Sequence, residues 1–136
     1  MPTTDRLVLH TVTGPRVLGE VHGALDRAWA QHHEVPLSTR IRVATAVAEV
    51  GANILQYAGG GRPVNLCMEV EAAPHQVIVI FTDDGEPALV NLNAVCLPDQ
   101  AAQRGRGLAL AMAALGGLSY SRDEPWNRWT LTSKPF

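Results

Sequence analysis

The segment from residue 40 to residue 57 constrains the fold of this chain more than any other. Two rows of apolar residues run along it at helical spacing, one from Ile41 to Leu55 and the other from Val43 to Tyr57. A narrow polar row lies between them: Arg42, Thr45, Glu49, Asn53 and Gln56. Because a solvated helix face is usually wider and more charged, the pattern predicts a helix packed on two sides whose polar edge lines a cavity.

Within the polar row, Glu49 and Asn53 are four residues apart, so their side chains project to the same place on the helix. A carboxylate beside a carboxamide suits a hard cation such as Mg²⁺, and it also suits the activation of a hydroxyl or a water. Two polar residues at this spacing are more often a solvated helix edge, so the pair alone leaves both interpretations open.

Composition narrows the class of protein. The chain has 136 residues, of which 46% are hydrophobic, which predicts one globular domain over residues 1–136. Its net charge of −2 is spread along the chain, which disfavours a nucleic-acid-binding protein. The longest uncharged apolar stretch, residues 107–121, is shorter than the roughly 18 residues that span a bilayer. The N-terminus carries no secretion-signal pattern, so we expect a cytoplasmic protein that does not contact membranes.

The order of predicted elements indicates the fold class. The segments are a strand at 5–12, a helix at 16–33, the central helix to about 57, strands at 63–72 and 76–82, a loop at 84–104, a helix at 105–115, and strands at 118–122 and 128–133. Helices and strands are segregated and hairpins are frequent, which predicts an α+β two-layer sandwich. The β-branched strand at 76–82 is predicted to be buried on both faces, and the long loop to act as a lid.

A second polar motif, Asp83-Asp84-Gly85-Glu86-Pro87, follows the β-branched strand directly. It is common turn chemistry, and the plain turn is one interpretation. The other depends on position, because a carboxylate at the end of a buried strand is rigidly held. Its oxygens accept hydrogen bonds, which suits an exocyclic amine such as that of adenine, and a glycine lets a flat base approach the backbone.

A third motif, Arg104-Gly105-Arg106-Gly107-Leu108, opens the last predicted helix. Glycines at a helix start expose unpaired N–H groups at its positive end, which suits a polyphosphate, and arginines add bidentate contacts. The motif is not a dinucleotide-binding fingerprint, because the third glycine and the surrounding βαβ unit are missing.

Taken in chain order, Glu49-x-x-x-Asn53, Asp83-x-Gly85, a lid and Gly105-x-Gly107-Leu108 resemble the N box, G1 box and G2 box of the GHKL family of ATP-binding domains. The resemblance spans nearly the whole chain. It implies a two-layer sandwich of the GHKL (Bergerat) type, with a mixed, mainly antiparallel sheet covered on one face by three helices. The small size and the text Glu-x-x-x-Asn-Ile-x-x-Tyr-Ala-Gly at 49–59 resemble the anti-sigma factor serine kinases and related switch kinases.

The resemblance implies ATP and Mg²⁺ as cofactors and gives roles to matching residues. Asn53 would bind the Mg²⁺ of the bound ATP, and Glu49 would be the catalytic base that faces the acceptor serine. Asp83 would accept a hydrogen bond from the adenine amine, with Gly85 beside the base. Thr130, on the last strand, would make a second contact on the adenine side.

The G2 box supplies the rest of the implied ATP site. Gly105, Gly107 and Leu108 would give backbone amides to the triphosphate, and Arg104 or Arg106 would meet the charge on the γ-phosphate. The chain departs from the small kinases before its last strand, where Trp126–Trp129 stands in place of their Gly-Gly-Thr turn.

The implied function is that of a bacterial protein-serine/threonine kinase in a partner-switching system, which phosphorylates a STAS-domain anti-anti-sigma protein. The resemblance leaves open whether such a chain also sequesters a sigma factor, and whether it forms a homodimer through the sheet. The alternative is a non-catalytic, nucleotide-dependent binding module or a contact activator of a PP2C-type phosphatase. The catalytic half of a histidine sensor kinase is disfavoured, because the sequence shows no helix hairpin with a phospho-accepting histidine.

Overall fold

A computed structural model describes residues 6–88, 92 and 103–136, with side chains in its last helix described from residue 106 onward. It contains three helices and five strands. In chain order they are β1 (Arg6–Val12), α1 (Val17–Gln31), α2 (Leu37–Tyr57), β2 (Asn65–Ala73), β3 (Gln76–Asp83), α3 (Gln103–Ala114), β4 (Gly117–Asp123) and β5 (Trp126–Thr132). The predicted α+β sandwich is confirmed. Most of the predicted lid, residues 89–91 and 93–102, lies outside the described residues.

The five strands form one sheet in the order β1-β2-β3-β5-β4, and every neighbouring pair is antiparallel. The expectation of a mixed sheet is therefore wrong for the described strands. Two helices separate β1 from β2, and they run in opposite directions, so the chain enters β2 from the end at which it left β1. Short turns join β2 to β3 and β4 to β5, and such hairpins are antiparallel by construction.

The same connectivity gathers the three polar motifs at one end of the sandwich. The start of α1 lies against the later half of α2. Leu18 Cδ2 approaches Gly51 so closely that a Cβ added to this glycine would lie 3.4 Å from it. The start of α3 contacts the same half of α2, where Gly107 lies against Glu49. The end of β3 and the start of β5 are paired, with Asp83 opposite Asn127. Segments far apart in the sequence therefore meet at the end of the sheet where β3 stops.

The core fills the space between the helices and one face of the sheet. Its largest fully buried side chains include Phe81 and Trp129 from the sheet and Ile54 and Leu108 from the helices. Along β3 burial alternates strictly, with the odd-numbered residues covered and the even-numbered ones only half-buried. The expectation that this strand is buried on both faces is wrong, because the helices that the structure describes cover one face of the sheet.

The central helix also differs in part from its prediction. The predicted row from Val43 to Tyr57 is buried as far as Ile54, and its last member, Tyr57, is 36% exposed. The other row is not, since Ile41 is 58% exposed and Leu55 is 36% exposed. Helix α2 packs on α1 and α3 at its flanks, and this row lies on its outward side. Within the described residues, no helix is long and apolar enough to cross a membrane.

Candidate functional site

Asp83 is the most constrained polar side chain at the end where the motifs meet. It ends β3, is 1% exposed, and accepts two hydrogen bonds at Oδ1. The backbone N–H of Gly85 donates one at 2.9 Å, and Nδ2 of Asn127 donates the other at 2.9 Å. The second oxygen, Oδ2, is buried and has no partner among the described residues. Leaving a buried carboxylate oxygen without a donor is costly, so this oxygen is an acceptor that a donor from a ligand or a water would satisfy.

The shift in the pKa of Asp83 agrees with the burial of its side chain. Burial raises the pKa of its carboxyl above the usual value, against the hydrogen bonds from Asn127 and Gly85, which lower it. Arg122 also acts to lower the pKa, and the neighbouring Asp84 acts to raise it. Strongly desolvated carboxyls of this kind are typical of functional sites.

The orphaned oxygen belongs to a residue that lines a cavity of about 190 Å³ between α2 and the sheet. The cavity has apolar walls and a few polar groups, which is the usual character of a small-molecule site. Its lining residues are Asn53, Ile54, Tyr57, Ala58, Asp83, Glu86, Pro87, Ala88, Asn127 and Trp129. It is smaller than the roughly 300–1,000 Å³ of pockets that enclose whole ligands, so it fits one flat group of a larger molecule.

Gly85 is required by close packing. A Cβ at this position would lie 2.4 Å from the backbone oxygen of Ala58, at the end of α2. The next residue, Glu86, donates its N–H to the same oxygen at 2.6 Å. The loop after β3 is thereby fixed to the helix that carries Asn53. The predicted role of Gly85 beside a base stays a prediction, and the contact with Ala58 is a reason for the glycine that the sequence did not reveal.

Asn53 and Glu49 lie on the predicted polar edge of α2. Asn53 is 7% exposed and lines the cavity together with Asp83. Glu49, one turn earlier, is half-buried and lies against α3, because a Cβ on Gly107 would be 2.7 Å from its Oε2. The structure therefore brings the first motif together with both of the others. Among the described residues, no three His, Cys, Asp or Glu side chains form a group that could hold a metal ion.

The third motif lies inside α3 instead of preceding it. Because the helix begins at Gln103, its hydrogen-bond ladder already uses the amides of Gly107 and Leu108. The role of these two amides toward a triphosphate stays a prediction, and this helix start disfavours it, because the amides that lack a partner within an α-helix belong to its first turn, which here includes Arg104 and Gly105. The side chain of Leu108 is fully buried, and that of Arg106 is exposed. The side chain of Arg104 lies outside the described residues.

Thr130 is not at the cavity. It is opposite Ile80 in the register of β3 and β5, and both lie on the face of the sheet away from the helices. Residues Asn127, Trp129 and Leu131 occupy the helix-covered face of β5. The position beside Asp83 belongs to Asn127, which the sequence analysis did not single out. Strand alternation would identify Asn127 if the register of the last strand against Asp83 were known, and the sequence alone does not give that register.

A second, larger concavity lies on the uncovered face of the sheet. Its volume is about 750 Å³, and its lining includes His10, Cys67, Trp126 and Arg128. None of the predicted site residues lines it, and no orphaned buried polar atom among the described residues points to it. The predicted site residues that line a cavity therefore belong to the smaller one.

Residues 16–132 match a protein-family model described as a histidine kinase-like ATPase domain. The matched segment runs from the start of α1 to the end of β5 and includes every element that lines the cavity. Comparison with curated proteins found no match.

Proposed function

Because this chain belongs to the family of histidine kinase-like ATPase domains, we propose that it binds ATP at the Asp83 cavity and transfers the γ-phosphoryl group to a serine of a partner protein. The observation that carries the nucleotide part is the orphaned Oδ2 of Asp83. An acceptor without a donor, at the wall of a small apolar cavity, is complementary to the exocyclic amine of adenine.

The rest of the nucleotide would extend from the cavity toward α3. Ile54, Ala88 and Trp129 give the base apolar walls. The first part of α3 lies against Glu49 of α2, at Gly107, and the start of a helix attracts phosphate. Arg106, exposed near this helix start, can add a guanidinium contact to a phosphate oxygen.

A magnesium ion fits this arrangement. Mg²⁺ is usually held by one or two protein oxygens together with substrate phosphates and water, so it needs no cluster of acidic residues. The amide oxygen of Asn53 is the protein ligand we propose, since this side chain is buried beside the base cavity and one turn from Glu49. When bound, the ion neutralises charge on the phosphate oxygens.

Glu49 is the residue we propose to orient and deprotonate the acceptor hydroxyl. Its carboxylate lies at the start of α3, where the phosphates would be, and is half-buried rather than solvated. Phosphoryl transfer depends mainly on positioning and charge neutralisation, so one well-placed base is sufficient.

The proposed partner is a STAS-domain anti-anti-sigma protein, and this part rests on the resemblance at residues 49–59. Sequestration of a sigma factor and dimerisation through the uncovered face of the sheet are further proposals of the same origin. The non-catalytic alternatives, a nucleotide-dependent binding module or a contact activator of a PP2C-type phosphatase, differ from the kinase in one respect: they bind ATP and leave the STAS serine unmodified.

Binding is tested by isothermal titration calorimetry with ATP, with and without Mg²⁺. We expect the wild-type chain to bind more tightly with the ion, and Asn53→Ala to lose this enhancement because the metal loses its protein ligand. Gln56→Ala is the matched control, since Gln56 is an exposed amide on the same helix. An unchanged dependence on Mg²⁺ in Asn53→Ala would remove Asn53 from the metal site.

Transfer is tested by intact-mass spectrometry of candidate STAS-domain proteins after incubation with the chain and Mg·ATP. We expect one added phosphate, and we expect Glu49→Gln to bind ATP yet lose transfer. Glu71→Gln is the matched control, because Glu71 lies on the uncovered face of the sheet and pairs with Arg6 at 3.7 Å. ATP binding by the wild type without any mass increase in the partners would favour the non-catalytic alternatives.

A further inference from the structure

Two side chains from β4 converge on the amide oxygen of Asn127. Arg122 donates from Nη1 to Asn127 Oδ1 at 3.0 Å, and the hydroxyl of Tyr120 donates to the same oxygen. Asn127 is 1% exposed, so these contacts are made away from solvent. Neither Tyr120 nor Arg122 lines the cavity beside Asp83.

The other end of the same amide is surrounded by acceptors. Asn127 Nδ2 lies 2.9 Å from Asp83 Oδ1, 2.8 Å from the backbone oxygen of Glu86 and 3.2 Å from that of Gly85. Turning the amide over would place its oxygen against three acceptors and its nitrogen against two donors. The orientation of Asn127 is therefore fixed from both ends.

The fixed amide decides which oxygen of Asp83 is left for a ligand. Oδ1 already receives hydrogen bonds from Asn127 Nδ2 and from the N–H of Gly85, and Oδ2 receives none. Two donors on Oδ1 favour the ionised carboxylate, which can only accept. A group that approaches Oδ2 must then bring a donor.

We infer that Tyr120 and Arg122 are positioning residues that set the choice of base: through Asn127 they keep Asp83 an acceptor, and thereby favour a 6-amino purine over a 6-oxo purine. The inference rests on the proposed nucleotide site and adds two residues that do not touch the base. A binding site that offers a buried hydrogen-bond acceptor discriminates strongly between ligands, because a ligand without the matching donor leaves that acceptor unpaired.

The same two residues hold the loop that forms one wall of the cavity. The N–H of Ala88 donates to the Tyr120 hydroxyl at 2.9 Å, and Arg122 Nη1 donates to the backbone oxygen of Gly85 at 3.1 Å. The wall residues Glu86, Pro87 and Ala88 are thus tied to β4 at both ends of this loop. A loss of these contacts would loosen the wall as well as the amide.

The test compares dissociation constants for ATP and for inosine triphosphate, which carries a 6-oxo group, by isothermal titration calorimetry at constant Mg²⁺. The variants are Tyr120→Phe, Arg122→Gln and the double variant. Tyr120→Phe keeps the ring that packs on Trp129, with centroids 4.8 Å apart. Arg128→Gln is the matched control, because Arg128 belongs to the same hairpin and lies on the uncovered face.

We expect the wild type to prefer ATP by at least about tenfold, and each single variant to lower this preference by about threefold. The double variant frees the amide to turn over, so its preference should fall by more than the product of the single effects. The control should keep the wild-type ratio. Thermal melting identifies any variant that fails to fold. If the double variant does not fold, the ATP-to-inosine-triphosphate ratios of the two single variants test the inference.

A merely structural role for these residues would weaken both nucleotides by the same factor and leave their ratio unchanged, and this result would overturn the inference while leaving the proposed function standing. If the wild type binds neither nucleotide, the proposed function itself is wrong, and the inference falls with it. The ratio and the wild-type affinity therefore separate the two failures.

Discussion

Replacing Asp83 by Asn should make the protein more stable and less able to bind ATP. The oxygen of the new amide can keep both hydrogen bonds that Oδ1 accepts from Gly85 and Asn127, each at 2.9 Å. Its NH₂ group then occupies the place of Oδ2, which is buried without a partner. The substitution removes a buried charge, one of whose oxygens has no partner, and presents a donor to the cavity in place of an acceptor.

The gain in stability follows from the raised pKa of Asp83, for which burial is the main cause. A carboxyl whose pKa is higher in the folded state favours folding when protonated and costs stability as the pH rises through its folded-state pKa. At pH 7 the ionised group is therefore a net cost, and we expect Asp83→Asn to add about 1 kcal/mol, or about 3 °C in melting temperature. The gain should shrink as the pH falls through the folded-state pKa and vanish below about pH 3, where the carboxyl is protonated in both the folded and the unfolded chain.

The loss in affinity follows from the same exchange. A hydrogen bond to a charged acceptor contributes about 1.5–3 kcal/mol, and a donor facing the adenine amine adds a penalty. We expect a total of about 2–4 kcal/mol, which is roughly 30- to 1,000-fold in the dissociation constant. Calorimetry with Mg·ATP gives the affinity, and thermal melts at pH 7 and about pH 3 give the stability.

The neighbouring carboxylate supplies the control. Both oxygens of Asp84 are paired, with the N–H and the Nδ2 of Asn65, each at 2.8 Å. Asp84→Asn must therefore place its NH₂ against a donor and should lower stability at pH 7. If Asp83→Asn melts below the wild type at pH 7, or binds ATP as tightly as the wild type does, the assignment of Oδ2 as the vacant acceptor is refuted.

Two glycine substitutions test the close approaches around the site. Gly107→Ala should keep the wild-type melting temperature, since alanine favours the helix by about 1 kcal/mol relative to glycine. Its Cβ would lie 2.7 Å from Oε2 of Glu49 and would push that carboxylate aside. We therefore expect the transfer rate in the intact-mass assay to fall by about a hundredfold. In Gly85→Ala the new Cβ would lie 2.4 Å from the backbone oxygen of Ala58, so urea unfolding should show a loss of about 2 kcal/mol in the free energy of unfolding. The contact at Gly107 is contradicted if Gly107→Ala loses transfer only because the protein unfolds. The contact at Gly85 is contradicted if Gly85→Ala is as stable as the wild type.

The order of elements and the three motifs could be predicted from the sequence because each is a local pattern. Helical spacing identified α2, and the alternation from Val64 to Val70 identified β2. The meeting of Glu49 with Gly107 follows from the topology, since α3 packs beside the end of α2 and runs opposite to it. Segregated helices and hairpins predicted the two-layer sandwich, whereas the meeting of the motifs was implied by the family resemblance.

The details that depend on register could not be predicted. A strand predicted at 128–133 begins at Trp126 in the structure, and a single sequence does not reveal which of its residues lies opposite Asp83. Because strand faces alternate, Thr130, which the family resemblance implied, lies on the opposite face of the sheet from Asn127. The prediction that β3 is buried on both faces was wrong for a related reason. A run of β-branched residues has the same sequence pattern whether one face or both faces of the strand are covered.

Long-range packing and helix starts also lie beyond local patterns. The need for Gly85 comes from Ala58, at the far end of another helix, so turn chemistry alone explained it only in part. Helix α3 begins at Gln103, before the glycines that were expected to open it. Glycine disfavours a helix interior by about 1 kcal/mol, and packing against α2 overrides that preference here.

The most direct measurement is a titration of the isotope-labelled chain with Mg·ATP, followed by amide chemical shifts in NMR spectra. If the nucleotide binds where we propose, shifts will concentrate at residues 49–58, 83–88, 103–107 and 127, at the end of the sheet where Asp83 lies. Shifts confined to the larger concavity on the uncovered face, around His10, Cys67 and Trp126, or no shifts at all, would contradict the proposed site.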